Sequence, residues 1–115
     1  MKNLIAFIVL FFVAGSLVNA QEATASFKVK GNCNMCKENI ESASMVNGVK
    51  SSTWSKKTHM ITVNYDESIV KLEDIHASIA KKGYDTDKVR ADDKTYSKLP
   101  KCCRYDRDKK EKLKN

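Results

Sequence analysis

The sequence predicts an α+β fold, a ferredoxin-like β-α-β-β-α-β sandwich in which two helices cover one face of a four-stranded antiparallel sheet. Three observations support it. Apolar residues alternate with a period of two in two short runs, residues 23–29 and 60–65. Two other runs show helical spacing, and each stops at a glycine. The link between the middle strands is short enough to require an antiparallel hairpin.

The elements follow in order. Ala25, Phe27 and Val29 share one side of the first strand, opposite polar neighbours. Gly31-Asn32 interrupts it. From residue 36 to about 45, Cys36, Ile40 and Ala43 recur at helical spacing among the good helix formers Glu38 and Glu41, and Asn47-Gly48 ends the helix. Residues 49–55 form a second strand carrying Trp54, and Lys56-Lys57-Thr58 is a polar turn. The third strand places Ile61, Val63 and Tyr65 on one face. A second helix begins near Leu72, with Leu72, Ile75 and Ile79 on one stripe. Glu73 and Asp74 lie in its first turn and Lys81 and Lys82 in its last, as the helix dipole favours, and Gly83 stops it. Residues 86–90, around Val89, form the fourth strand.

The chain has 115 residues and divides into three parts. Residues 1–20 have the pattern of a secretory signal peptide: a basic start at Lys2, an apolar run over 4–14, and Val18-Asn19-Ala20 at the cleavage position. That run is too short for a comfortable membrane span, so no membrane insertion is expected after cleavage. The domain occupies 21–91, and 92–115 is a charged extension holding a Cys-Cys pair. A core this small often gains from a staple or a metal. The formal net charge is +7, with six basic and three acidic residues from Arg104 onward, which reads as a solvated tail. Export and scarce aromatics argue against nucleic acid. Residues 96–105 are expected to dock on the domain, and 106–115 to be disordered or a frayed helix.

The chemistry lies in "KGNCNMCKENIE", residues 30–41. Cys33 follows the first strand and Cys36 begins the first helix. That separation across a loop-to-helix junction points both sulfurs at one ion. The helix N-terminus favours thiolate, and Gly31 lets the backbone turn. Two thiolates suit soft ions such as Cu(I), and a near-linear pair also suits Hg(II). An open two-ligand site can surrender its ion by exchange, unlike the closed shell of structural zinc. No catalytic base, nucleophile pair or phosphate loop appears, so no enzyme activity is expected. Two alternatives compete. One is a periplasmic thiol-disulfide oxidoreductase, against which stands the lack of a proline between Cys36 and Pro100. The other is a disulfide-stapled secreted module without metal.

"FKVKGNCNMCKENIE", with "NGV", "ITVNYDES" and "LEDIHASIAKKGYD" after it, resembles the heavy-metal-associated domain of copper chaperones, metal-exporting P-type ATPases and the periplasmic mercuric-ion-binding protein. The resemblance spans about residues 24–91. It implies metal ligands at Cys33 and Cys36. The implied cargo is Cu(I) first, with Hg(II), Zn(II) or Cd(II) as other candidates. It also implies a partner such as a P-type ATPase or membrane transporter; the signal-peptide pattern implies a periplasmic or secreted location, and exposed paired thiolates able to share Cu(I) between two molecules leave a monomer or a metal-bridged dimer open. The family's usual Gly-Met-x-Cys is here the shorter Gly31-Asn32-Cys33, without the methionine that packs beneath the loop. Asn32 offers no carboxylate ligand, which tilts the choice to Cu(I) or Hg(II). Met35 reads as an exposed loop side chain. In this family Lys82 and Tyr84 lie in a loop approaching the metal, where Lys82 would offset charge and Tyr84 would shield the ion; otherwise Lys82 caps the helix and Tyr84 packs.

Cys102 and Cys103, in "LPKCCRYD", admit several roles. They complete a three- or four-thiolate site, form redox disulfides with Cys33 or Cys36, bind metal separately, bridge two molecules, or staple the fold. His76 reads as a packing histidine and His59 as a solvated turn residue, remote from or level with the cysteine loop. Phe27, Trp54 and Tyr65 read as core or sheet surface.

Overall fold

The computed structural model describes residues 21–107. The signal peptide expected over 1–20 and the tail beyond residue 107 lie outside the described residues. Three strands, β1 (Glu22–Lys28), β2 (Val49–Trp54) and β3 (Met60–Asp66), form an antiparallel sheet in the order β1-β3-β2. Three helices follow the chain as α1 (Asn34–Ser44), α2 (Leu72–Lys81) and α3 (Asp93–Ser97), and a 3₁₀ turn spans Lys101–Cys103.

Register explains the sheet's two faces. Ala23, Ala25 and Phe27 stand opposite Tyr65, Val63 and Ile61, and Trp54 also pairs with Ile61. These residues face the helices, where Cys36 and Ile40 of α1 and Ile75 and Ile79 of α2 complete the core. Each such fully buried apolar side chain contributes about 1.5–3 kcal/mol. The opposite face is polar: Ser26 bonds Thr62 across the strands at 2.9 Å, and Lys50 pairs with Glu22. The helices are tied together where Ser78 Oγ donates to Ala43 O at 2.6 Å.

The expected fourth strand does not form. Residues 86–90 contribute only an isolated antiparallel bridge, Val29 to Thr86, flanked by Lys30 N–H to Asp85 O (2.9 Å) and Asp87 N–H to Lys28 O (3.1 Å). Thr86 Oγ1 then accepts the N–H groups of Lys88 (3.1 Å) and Val89 (2.9 Å), and Thr86 N–H bonds Val89 O at 2.8 Å. The threonine side chain takes the donors a ladder would need and turns the chain away.

Helix α2 ends as its sequence suggests. Gly83 has φ 115°, its N–H bonds Ala80 O at 2.9 Å, and Tyr84 N–H reaches Ile79 O at 3.4 Å. This is a Schellman end, in which the left-handed residue satisfies the last carbonyls. It aims Tyr84 into the core. His76 is buried as a packing residue, stacked on Phe27 at 3.8 Å with Nδ1 2.7 Å from Thr86 Oγ1.

The extension docks, as expected for residues 96–105, and the docking reaches further. Asp106 and Arg107, expected to be disordered or frayed, are ordered, because the Arg107 guanidinium forms a bidentate ion pair with buried Asp85 (2.9 and 2.8 Å).

Candidate metal centre

Helix α1 begins two residues earlier than the periodicity suggests. Cys33, at φ −128° and ψ 178°, is its extended N-cap, and Lys37 N–H bonds Cys33 O at 3.1 Å. Cys36 therefore falls inside the first turn, on the core side, and is fully buried, while Cys33 is half-buried at the rim. Their sulfurs lie 3.3 Å apart.

Packing holds the loop in place. Gly31 is buried, and a Cβ there would meet Ile40 Cδ1 and the Trp54 ring at 3.0 Å. Its role is close approach, and no positive φ is required of it. Trp54 fills the space beneath the loop, and its indole N–H donates to Val29 O at 3.0 Å. Lys37 and Glu41 fix α1 to the end of β2: Lys37 Nζ donates to Trp54 O at 2.8 Å, and Glu41 Oε2 accepts Trp54 N–H at 2.8 Å.

The docked end of the extension, residues 99–107, forms a strap that brings the second cysteine pair to the first. Cys102 Sγ stands 3.1 Å from Cys33 Sγ, and Cys103 Sγ stands 3.7 Å from it. The ligand atoms of Cys33, Cys36 and Cys103 all lie within 4.8 Å of one another; exposed Cys102 is not in that set. Cys36 Sγ instead meets Cys102 O at 3.9 Å.

The thiols differ electrostatically. Desolvation opposes ionisation of Cys33, but hydrogen bonds from the Cys102 thiol, the Cys36 backbone and the Cys36 and Cys103 thiols outweigh it and lower Cys33 to about 6. Once ionised, Cys33 can only accept, so the Cys102 thiol is the donor, and this bond raises the Cys102 thiol. Burial, then hydrogen bonding to Cys36, pushes Cys103 up. A soft cation replaces such protons when thiolates bind it.

The heavy-metal-associated domain family matches residues 26–85. The chain belongs to that family. No curated protein matches it. Among solved structures, it is 35% identical to the copper chaperone of Enterococcus hirae in its apo form, over 56% of this chain and 96% of that one, with a TM-score of 0.51. It is 31% identical to a copper-binding domain of a P-type ATPase, over 55% and 88%, with a TM-score of 0.53. Oxidized MerP of Ralstonia metallidurans CH34, at 24% identity over 56% and 93% with a TM-score of 0.54, shares the fold.

In this heavy-metal-associated domain, Met35 is exposed at the loop, as its position suggests. Tyr84 lies buried beneath the site rather than over it. Its hydroxyl accepts from Asn39 Nδ2 at 2.9 Å and hydrogen-bonds Cys103, while burial pushes its own ionisation far up. Lys82 is exposed at the C-cap of α2. His59 sits at the loop end of the molecule, half-buried, with φ 64°; its ring stacks on Trp54 at 5.6 Å and its carbonyl accepts Val29 N–H at 2.8 Å. With Lys28, Lys30, Gly31, Asn32, Tyr105 and Asp106 it lines a cleft of about 470 Å³ behind the loop.

Sequence reasoning missed the residues that anchor the strap. Tyr105 Oη donates to Gly83 O at 2.7 Å and accepts Asp85 N–H at 2.8 Å. Asp85 Oδ1 also accepts Ala91 N–H at 2.7 Å, and Arg107 lies over the Tyr96 ring at 4.4 Å. An aspartate and an arginine twenty-two positions apart carry no local pattern that marks them as partners. The one available cue was the aromatic pair, Tyr96 and Tyr105, inside an otherwise charged tail.

Proposed function

We propose that this protein is an exported carrier of a soft metal ion, Cu(I) or Hg(II), which it holds through Cys33 and Cys36 and passes to a partner's thiolates. The observation that carries the reading is the 3.3 Å sulfur pair at the N-terminus of α1, one sulfur at the rim and one buried, in a heavy-metal-associated domain. A rim thiolate already ionised near neutral pH is the natural first contact for an incoming ion. The buried partner then closes the shell without surrounding the ion, so an incoming thiolate can attack and the ion leaves by exchange. Zn(II) and Cd(II) bind thiolates too, but a site with few sulfurs and no carboxylate favours the softer ions. Export rests on the character of residues 1–20, and a soft ion outside the cytosol needs a carrier that shields it. A metal-binding domain of a P-type ATPase or a membrane transporter suits the receiving role, since such domains appear among the structural relatives. The protein acts as a carrier rather than a catalyst, as a monomer or a metal-bridged dimer.

Native mass spectrometry of the reduced protein titrated separately with Cu(I), Hg(II), Zn(II) and Cd(II) tests this. Tight uptake of Cu(I) or Hg(II), abolished in Cys33→Ser and Cys36→Ser, is expected. Undiminished uptake of every ion in both variants refutes it.

A further inference from the structure

We propose that the docked strap supplies Cys103 as a third sulfur to the Cys33–Cys36 pair, so that the ion is held in a three-coordinate thiolate site. The inference rests on the carrier reading and names a further ligand of that site.

Sulfur geometry favours three ligands. With metal–sulfur bonds of about 2.3 Å, two sulfurs on a linear ion stand about 4.6 Å apart, and three on a trigonal ion about 4.0 Å apart. The Cys33–Cys36 pair, at 3.3 Å, would have to open by about 1.3 Å for a linear site but by only about 0.7 Å for a trigonal one. Adding Cys103 gives a triangle with sides of 3.3 and 3.7 Å and a third no longer than 4.8 Å, compact enough for one ion to reach all three sulfurs with small shifts. A closed tetrahedral shell needs Cys102 as well, and Cys102 is exposed and outside the mutually close set.

The strap is built to hold Cys103 there. Cys103 is fully buried, as is Tyr105 two residues on, and Leu99 packs against Gly83 on the near side. The Tyr105 hydroxyl clamps both Gly83 O and Asp85 N–H. The Arg107 guanidinium, bonded to Asp85, Ala91 O and Asp93, closes the far end. These anchors lie in residues 83–91, in α3 and in the strap itself, and none is a strand residue of the sheet. Binding moves no electrons: the ion takes the places of the thiol protons that remain, and those protons pass to solvent.

X-ray absorption on the reduced protein loaded anaerobically with one equivalent of Cu(I), together with competition against a chromophoric Cu(I) chelator, tests the proposal. Three sulfur neighbours are expected in the wild type and in Cys102→Ser. Two are expected in Cys103→Ser, with affinity at least tenfold lower. Cys103→Ala, which leaves no hydroxyl in the buried site, is the second variant if the serine protein does not fold. Two sulfurs in the wild type, or three retained without Cys103, overturn the proposal and leave the two-cysteine carrier standing. Loss of the third sulfur in Cys102→Ser overturns it by moving the ligand to the neighbouring residue. Undiminished binding in Cys33→Ser and Cys36→Ser refutes the carrier reading itself.

Discussion

Cys33 sits at the N-cap of α1 with its sulfur at the rim, and its thiol is lowered to about 6 by hydrogen bonds that outweigh its desolvation. In the metal-free reduced protein, alkylation by iodoacetamide should therefore centre on Cys33 and follow a midpoint near pH 6, with the reactive thiolate present above that pH and lost below it. Peptide mapping across pH 4–9 checks this, and a Cys33 midpoint at the ordinary thiol value contradicts it. Gly31 permits a second prediction at this scale. A methyl group there would press on Ile40 and the Trp54 ring at 3.0 Å, closer than normal carbon contact. Gly31→Ala should cost about 1–3 kcal/mol by overpacking and displace the loop that presents Cys33. Thermal melting reads the first effect and metal affinity the second. A variant as stable and as tight as the wild type would mean that the loop yields freely.

Among the elements, the strap has the anchors most open to test. In the Arg107–Asp85 pair the carboxylate is buried and the guanidinium partly exposed, so removing Arg107 strands a buried charge, at a cost of about 3–5 kcal/mol. Arg107→Ala should loosen residues 99–107 and leave the sheet intact. Hydrogen exchange should show faster opening in the strap with unchanged protection in β3, and equal protection everywhere would discount the ion pair as an anchor. Helix α2 carries a pH-dependent contribution through His76. Burial lowers its imidazole below the usual 6.5; nearby Asp87 and Glu73 oppose that shift and Lys88 adds to it. Its Nε2 has no hydrogen-bond partner to offset the cost of burying the charged form. The unfolded chain accordingly binds the proton first as pH falls. The contribution of neutral His76 is complete above about pH 6.5 and declines from there down to the depressed native value. Melting temperatures at pH 7.5 and 5.5 should diverge more in the wild type than in His76→Gln, and equal slopes would remove His76 as the cause.

At the scale of the whole molecule, the sheet and two helices form a platform, and the cysteine loop, the β2–β3 turn and the strap gather at one end of it. An ion that binds only the folded arrangement raises its stability by about 2.7 kcal/mol when free ion stands at a hundred times the dissociation constant. A Cu(I)-loaded sample should therefore melt several degrees higher than the metal-free one, and Cys36→Ser should lose that increment. Scanning calorimetry checks this, and an unchanged melting temperature on loading would mean that the ion gains nothing from the fold.

Much of this was legible in one dimension. Alternation placed β1 and β3, helical spacing placed α2, and Gly83 marked the end of α2, because each signal arises within a few neighbouring residues; Gly48 instead serves the turn before β2, beyond the cap of α1 at Met45. The pairing of Cys33 with Cys36 was legible for the same reason: three positions across a helix start fix where two side chains point. The fourth strand was misread because a local competition, Thr86 Oγ1 taking backbone donors, outweighed a weak alternation around Val89. The sequence offered a meeting of Cys102 and Cys103 with the loop as one role among several; that they arrive there, sixty-nine and seventy positions from Cys33, was decided by tertiary structure. Tertiary structure also decided that Trp54 fills the space under the loop and that Tyr84 turns inward to Cys103. Contacts between distant segments depend on which loop closures the packed core rewards, and no spacing within a segment records that choice.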